Sequence, residues 1–264
     1  MSFRYLKSAR KIACIGRNYA DHVKELNNAI PKNPFFFLKP TSSIITPTKA
    51  NVVKREQGTS NTTSHGLNAD GTNPSPIYIP KNVDVHHEVE LALIMKASVS
   101  NVNPLRFSTK DLLESIQGVA LALDLTGRNV QSDAKRSGLP WSIAKGYDTF
   151  CPMSEMVSLD RLPNVNSKDF QDSFRLKCFV NGELRQDGTS NLMLNSMAKI
   201  VSTISETMSL EPNDIVLTGT PAGVGKIKPG DVIEGQLFYK NEKIVDMKFD
   251  CETKPGHYVY KSSV

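Results

Sequence analysis

Residues 85–95 read Val-His-His-Glu-Val-Glu-Leu-Ala-Leu-Ile-Met, an apolar segment that carries two carboxylates. Its aliphatic and β-branched residues predict a buried β-strand. Because side chains alternate between the faces of a strand, Glu88 and Glu90 point the same way and Val89 points to the other face. Two carboxylates about 7 Å apart on one strand repel each other unless a positive charge lies between them. The pattern therefore indicates a hard divalent cation with oxygen ligands, which is magnesium, manganese or calcium rather than zinc.

A third carboxylate, Asp124, directly follows the apolar strand predicted over residues 119–123. An unpaired charge at the end of such a strand is costly to bury, so Asp124 is a candidate ligand of the same metal. Spacing alone leaves an alternative equally open. Glu88 and Glu90 would then lie on a solvated sheet face, and Asp124 would only start a turn.

The remaining pattern is rich in short strands and poor in helices, without regular βαβ alternation. We predict an α+β fold with one strand-rich domain over residues 1–264. Gly118 is the expected stop of the second helix, and Asn181-Gly182 is the expected hairpin turn. Residues 54–76 are polar and predict an inserted surface loop. The other predicted strands cover residues 11–16, 34–40, 174–180, 183–186, 215–218, 232–238 and 244–249, and the helices cover 18–27, 108–117 and 191–208.

Composition and charge argue against several classes of protein. The net charge of +5 is modest for 264 residues and the basic residues are scattered, so we expect no nucleic-acid partner. No run of about 18 apolar residues occurs, so we expect no membrane span. The cysteines are far apart and form no C-x-x-C pair, which favours a reducing compartment. They are Cys14, Cys151, Cys178 and Cys251.

The N-terminal segment is basic and serine-containing, and no acidic residue precedes Asp21. Such a start is typical of a mitochondrial matrix signal. The alternative is a cytoplasmic protein whose basic start belongs to the first strand. We therefore predict a mitochondrial location.

Five separated motifs resemble the fumarylacetoacetate hydrolase superfamily. The resemblance spans residues 11–250 and is closest to the small single-domain members, which include acylpyruvate hydrolases, oxaloacetate decarboxylases and oxaloacetate tautomerases. The motifs are residues 14–25 with Phe37-Leu38-Lys39-Pro40, then His87-Glu88-Val89-Glu90-Leu91, then residues 124–131, then Leu139-Pro140-Trp141 with Ala144-Lys145, and finally residues 217–225.

The resemblance implies a mixed β-roll of the fumarylacetoacetate hydrolase C-terminal-domain type and a homodimer. It also implies that Glu88, Glu90 and Asp124 bind Mg²⁺ or Mn²⁺, with Ca²⁺ as a further candidate. Residues 18–30 correspond to a lid helix, and the substrate is a small 2-oxo acid.

Three residues are candidates for the chemistry itself. His22 and Glu25 are three apart on a predicted helix, so the carboxylate can orient the imidazole as a general base. The resemblance makes Lys145 the positive charge that stabilises an enolate oxygen. The alternatives are an amphipathic surface helix for the pair and an ordinary surface lysine for Lys145.

Five residues are candidates for substrate binding. Arg128 and Gln131 share a face at a predicted helix start, and the Arg128 guanidinium suits a distal carboxylate. Thr220, in a glycine-flanked turn, is expected to donate a hydrogen bond to the substrate carboxylate. Arg17 and Tyr19 are expected at the mouth of the site.

These assignments predict an enzyme that forms a metal-chelated enolate of a short 2-oxo acid. Oxaloacetate keto–enol tautomerisation requires the fewest groups and is the leading prediction. Acylpyruvate hydrolysis and oxaloacetate decarboxylation use the same site and remain alternatives. A non-catalytic binding protein would lack the metal. A phosphate-binding loop at residues 219–226 is disfavoured because Ile227 stands where Ser or Thr follows the lysine.

Overall fold

The computed structural model describes residues 2–25, 29–48 and 67–262. Its strands form four sheets of six, five, three and two strands. In chain order the strands are β1 Ile12–Gly16, β2 Phe35–Lys39, β3 Ile44–Ile45, β4 Ile77–Ile79, β5 Val85–His87, β6 Val89–Met95, β7 Ile116–Leu123, β8 Thr126–Gly127, β9 Cys151–Pro152, β10 Val157–Ser158, β11 Phe174–Val180, β12 Glu183–Thr189, β13 Ile215–Leu217, β14 Gly225–Lys226, β15 Val232–Tyr239 and β16 Glu242–Thr253.

The four inner strands of the six-stranded sheet are buried on both faces almost throughout. The order of this sheet is β10-β7-β6-β13-β1-β2, with β1 parallel to β13 and the other pairs antiparallel. Every residue of β6 is buried, because Leu91 and Leu93 pack into the main core and Ala92 and Ile94 into a second cluster. Burial on both faces explains why this strand is a continuous apolar run rather than an alternating one.

The five-stranded sheet buries one face only. Its order is β12-β11-β15-β16-β4, and β15 alternates between buried and half-buried residues along its length. The predicted hairpin is confirmed, since Asn181 and Gly182 connect β11 to β12 with φ of 53° and 81°. Positive φ at both central residues is what a tight two-residue hairpin requires.

The strand predicted over residues 85–95 is two strands that belong to different sheets. β5 pairs with β14 and β8 in the three-stranded sheet, whereas β6 pairs with β7 and β13. Glu88 lies at the crossing point between them, and its carbonyl accepts the Asp124 N–H at 2.8 Å. The change of sheet brings Glu88 next to Asp124.

The helices are short, and serine side chains cap the starts of two of them. They are α1 Ala20–Glu25, α2 Thr109–Ser115, α3 Arg128–Arg136, α4 Ser142–Gly146 and α5 Met197–Thr207. Ser108 and Asp111 form a capping box at the start of α2. The Ser196 side chain accepts the Lys199 N–H, so α5 starts later than the predicted residue 191.

Gly118 as the stop of the second helix is wrong. The chain passes directly from α2 into β7 at Ile116, and Gly118 lies inside that strand. A Cβ at Gly118 would lie 2.4 Å from the Val157 carbonyl oxygen. The glycine therefore permits the close approach of β10 to β7.

The predicted insertion lies only partly within the described residues. Residues 54–66 are outside them. Residues 68–72 form a turn in which the Asn68 N–H donates to the Thr72 carbonyl at 2.8 Å, and β4 follows. Within the described ranges, no helix combines the length and apolar character required to span a bilayer.

Leu121 tests the packing between the two large sheets. It is fully buried on β7, and its Cδ2 lies 2.9 Å from where a side chain on Gly235 of β15 would begin. We expect Leu121→Ala to lower the free energy of unfolding by about 2–5 kcal/mol, because a cavity remains. Urea unfolding measures this loss.

Leu105→Ala is the matched control, because Leu105 is 92% exposed. We expect it to change the free energy of unfolding by less than about 0.5 kcal/mol. Equal effects of the two substitutions would contradict the described core.

Candidate metal centre and active site

Three carboxylates meet at one end of the β6–β7 pair. One carboxylate oxygen from each of Glu88, Glu90 and Asp124 lies within 4.8 Å of the other two, and all three residues are buried. Glu90 lies on β6 opposite Ala122, and Asp124 follows the last residue of β7. The antiparallel register and the crossing at Glu88 thus bring together residues that the sequence separates by up to 36 positions.

The three carboxylates have different electrostatic environments. Burial, together with the charges of Asp124 and Glu88, raises the pKa of Glu90 well above its ordinary value. Burial also acts to raise the pKa of Glu88, but Lys145 and Arg128 outweigh it and hold that pKa well below its usual range. Glu90 is therefore the carboxylate whose charge is least compensated.

Three cations contact the carboxylate cluster. Lys145 Nζ donates to Glu88 Oε2 at 2.9 Å and to Asp124 Oδ2 at 2.6 Å. Arg128 Nη2 donates to Glu88 Oε1. Lys39 Nζ donates to Asp124 Oδ1 at 2.7 Å and to the Leu125 carbonyl at 3.0 Å. Among the described residues, Glu90 has no ion-pair partner, although its Oε2 accepts the Gly219 N–H at 2.7 Å.

The residues present fit a divalent cation. Their donors are all carboxylate oxygens, which are the ligands that Mg²⁺ and Mn²⁺ prefer. Glu90 is buried and has no ion-pair partner among the described residues. A metal ion would neutralise its charge. The solvated-surface alternative for Glu88 and Glu90 does not hold, because they are 4% and 1% exposed.

The predicted His22–Glu25 pair forms on α1. His22 Nδ1 lies 3.3 Å from Glu25 Oε2. The Glu25 carboxylate also accepts the Gly223 N–H at 3.1 Å, which ties α1 to the loop after β13. Burial lowers the pKa of His22, while the charge of Glu88 and the hydrogen bond that His22 donates to Glu25 oppose this shift. A lowered pKa keeps the imidazole neutral near pH 7, as a general base requires.

Most of the predicted site residues line one cavity. The exceptions are Glu25, which supports His22 from outside the lining, and Tyr19, which is 2% exposed and is absent from the cavity wall. The structure therefore does not place Tyr19 at the mouth of the site, where it was predicted. The lining includes Arg17, His22, Glu88, Glu90, Asp124, Arg128, Gln131, Lys145 and Thr220.

Four of the five predicted substrate-binding side chains already have hydrogen-bond partners in the protein, and Tyr19 is the exception among the described residues. Arg128 Nη1 donates to Gln131 Oε1 at 3.0 Å, so the pair does share a face of α3. Thr220 Oγ1 donates to the Val89 carbonyl at 2.8 Å. Arg17 Nη1 donates to the Ala29 carbonyl at 3.4 Å. Arg128 Nε is buried without a partner among the described residues.

Sequence reasoning missed Lys39. It belongs to a motif that carried the family resemblance, but no role was assigned to it. The sequence feature that could have identified Lys39 is its position at the end of an apolar strand. A lysine there would be buried, and lysine is rarely buried unless it is paired with an opposite charge. The structure buries Lys39 at 2% exposure beside Asp124.

An aromatic wall beside the carboxylates was also missed. The Trp141 ring packs against Phe35 and Phe37, with centroids 5.9 and 5.6 Å apart. Lys145 Nζ lies 4.7 Å from the centroid of Phe37. Lys135, an exposed residue at the cavity edge, places its Nζ 5.1 Å from the Trp141 centroid. The site thus combines an apolar wall with cations that lie beside it.

Comparison with known proteins agrees with this geometry. The fumarylacetoacetate (FAA) hydrolase C-terminal family matches residues 11–250. The mitochondrial protein named oxaloacetate tautomerase FMP41 of Saccharomyces cerevisiae is 57% identical over 263 residues, with 100% of both chains covered. The mitochondrial oxaloacetate decarboxylase of Dictyostelium discoideum is 39% identical, with 94% of this chain and 96% of the relative covered. The location in both names agrees with the predicted mitochondrial location.

A solved structure shows the same fold. The crystal structure of a fumarylacetoacetate hydrolase family protein from yeast superimposes with a TM-score of 0.88 at 56% identity. The alignment covers 98% of this chain and 100% of the other. The predicted strand-rich fold and the family resemblance are therefore confirmed, and the chain belongs to the fumarylacetoacetate hydrolase family.

Proposed function

We propose that the protein is a divalent-metal-dependent oxaloacetate keto–enol tautomerase. The observation that carries the proposal is the buried cluster of Glu88, Glu90 and Asp124, with Lys145 against it. The relative at 57% identity, named a tautomerase of the same substrate, supports the proposed reaction. We propose Mg²⁺ or Mn²⁺ as the cation because the donors are all carboxylate oxygens.

The carboxylate cluster would hold the cation, and the cation would supply Lewis-acid stabilisation of negative charge on the substrate's C2 oxygen. Lys145 contributes from the protein side. Burial acts to lower the pKa of Lys145, but Asp124 and Glu88 outweigh burial and raise it. The amine therefore stays protonated and stabilises the same developing charge.

His22 is the proposed proton carrier. Its Nδ1 faces Glu25, so the neutral tautomer protonated on Nδ1 leaves the Nε2 lone pair free. In the keto-to-enol direction, Nε2 takes the C3 proton, the C3–H electrons form the C2–C3 double bond, and the C2=O π electrons move to the C2 oxygen. His22 then gives the same proton to that oxygen and is neutral again. The reverse sequence returns the proton to C3. Atoms and charge balance without another reactant.

The remaining cavity residues are proposed to hold the substrate carboxylates. Arg17, Arg128 and Gln131 supply positive charge and amide donors. Thr220 lines the same wall, although its hydroxyl proton is directed to Val89. We leave Tyr19 out of this set because it does not line the cavity. A homodimer remains part of the proposal, on the basis of the family resemblance.

Decarboxylation of oxaloacetate is a second candidate, because a relative at 39% identity carries that name. It shares the proposed C2-oxygen stabilisation with tautomerisation but releases carbon dioxide and pyruvate. We find no specific observation that favours acylpyruvate hydrolysis.

The deciding experiment follows the ultraviolet absorbance of enol-oxaloacetate with purified protein and Mg²⁺, repeated with a chelator and followed by a pyruvate assay. We expect metal-dependent loss of enol without matching pyruvate. Stoichiometric pyruvate would favour the decarboxylase. Absence of both reactions, with folded protein and metal present, would reject the proposed function.

Glu90→Gln tests the metal site. The pKa of Glu90 is higher in the folded than in the unfolded chain, so raising the pH above about 4.3 destabilises the metal-free wild type. We expect Glu90→Gln with chelator to melt at or above the wild-type temperature at pH 7. Excess Mg²⁺ should stabilise the wild type, by about 2.7 kcal/mol at a hundredfold excess over Kd, but not the variant.

Differential scanning fluorimetry at several pH values measures both effects. Glu114→Gln, at an exposed position, is the control and should behave as the wild type. An equal Mg²⁺ shift in wild type and Glu90→Gln would refute the ligand assignment.

His22→Ala tests the proton carrier. We expect kcat for enol decay to fall by about 10²–10⁴, since general acid–base catalysis contributes this much, while Mg²⁺ still raises the melting temperature. Lys24→Gln, an exposed change on the same helix, should leave kcat unchanged. Wild-type turnover by His22→Ala would remove the His22–Glu25 pair from the mechanism.

A further inference from the structure

Strands β6 and β13 separate next to the metal centre. They pair from Ile215 opposite Ile94 to Leu217 opposite Ala92, and the Thr218 N–H still reaches the Leu91 carbonyl at 3.1 Å. The next residue, Gly219, donates its N–H to the side chain of Glu90 rather than to the backbone of β6. The backbone ladder between the two strands therefore ends where the metal ligands begin.

One side chain occupies the gap that this separation leaves. Gln186 of β12 is completely buried. Its Oε1 accepts the Val89 N–H at 3.0 Å and lies 2.9 Å from His87 Nδ1. Its Nε2 donates to Thr220 Oγ1 and to the Pro221 carbonyl, both at 2.8 Å. The amide oxygen thus holds β6 at Val89, and the amide nitrogen holds the loop that follows β13.

The partners fix the orientation of this amide. A backbone N–H only donates and a carbonyl only accepts, so Oε1 must face Val89 and Nε2 must face Pro221. His87 Nδ1 then carries a proton and donates to Oε1. Thr220 completes the link, because its hydroxyl accepts from Gln186 and donates to the Val89 carbonyl at 2.8 Å.

Val89 is the residue between Glu88 and Glu90. Its N–H donates to Gln186, and its carbonyl accepts from Thr220. We propose that Gln186 is a positioning residue for the metal centre. Through the Val89 backbone it keeps Glu88 and Glu90 directed at one point, and through Thr220 it holds the opposite cavity wall. This inference rests on the proposed metal site, and Gln186 itself is absent from the cavity lining.

No other common side chain of similar size reproduces these contacts. A leucine offers neither donors nor acceptors, and a carboxylate accepts from Val89 and His87 but donates to neither Thr220 nor Pro221. Residues that orient metal ligands from behind typically change metal affinity or activity by about 10–100-fold when they are replaced.

Gln117 supplies a matched control on β7. Its Nε2 donates to the Met95 carbonyl at 2.9 Å and to Asn213 Oδ1 at 2.7 Å, so it also connects β6 to the segment beside β13. It does so at the end of β6 away from the carboxylates. If Gln186 only stabilised the fold, a substitution of Gln186 and one of Gln117 would have the same effect on metal binding.

The test measures Mn²⁺ binding to full-length wild type, Gln186→Leu and Gln117→Leu from the electron paramagnetic resonance signal of free Mn²⁺, with melting temperatures alongside. We expect both variants to melt at lower temperature. We expect Kd for Mn²⁺ to rise about 10–100-fold in Gln186→Leu and to stay within about twofold of the wild type in Gln117→Leu. The enol-decay assay should show a parallel loss of kcat in Gln186→Leu alone.

The outcomes separate this inference from the proposed function. A wild type that binds no Mn²⁺ rejects the metal site itself. A wild type that binds Mn²⁺ while Gln186→Leu binds it equally well overturns the positioning role. If Gln186→Leu does not fold, Gln186→Glu is used, which keeps the two accepting contacts. Wild-type values of both Kd and kcat in that variant would then overturn the inference, and a lower kcat would support it.

Discussion

The burial of three carboxylates at one end of the β6–β7 pair is the constraint on which the rest of the site depends. Glu88, Glu90 and Asp124 cannot share a buried space as anions unless positive charge surrounds them. Lys39, Lys145 and Arg128 supply part of that charge, each from a different element. Glu90 has no ion-pair partner among the described residues, and this is why we propose a cation at the cluster.

The architecture explains why these groups meet. A continuous strand over residues 85–95 would place Glu88 and Glu90 about 7 Å apart along one edge. The chain instead changes sheets at Glu88, which turns this residue towards Asp124. Beyond Thr218, β13 separates from β6 beside these carboxylates, and the next N–H, that of Gly219, donates to Glu90. The side chain of Gln186 bridges this gap, with hydrogen bonds to Val89 on one side and to Thr220 on the other.

The two groups that we propose for proton transfer and charge stabilisation lie on short helices, α1 and α4. α1 carries His22, and Glu25 fixes this helix to Gly223 of the loop after β13. Lys145 is carried by α4 and packs over Phe37. The proposed proton carrier and a buried positive charge thus lie on separate short helices around one cavity. This arrangement suits proton transfer at a carbon next to a stabilised oxyanion, which is what keto–enol tautomerisation needs.

Much of the fold and of the candidate site was predictable from the sequence because it depends on local patterns of residues. The E-x-E spacing, Asp124 after an apolar strand, the Asn181-Gly182 hairpin and the pairing of His22 with Glu25 are all local, and the family motifs identified the fold. Lys39 and Gln186 were not found, and Gly118 was misread. Their roles depend on contacts with Asp124, Val89 and Val157, which lie 85, 97 and 39 positions away. The sequence by itself determined which residue types the site contains. Only the tertiary structure decided which buried charges and amides face one another, because strand register and the crossing between sheets are set by packing of the whole core.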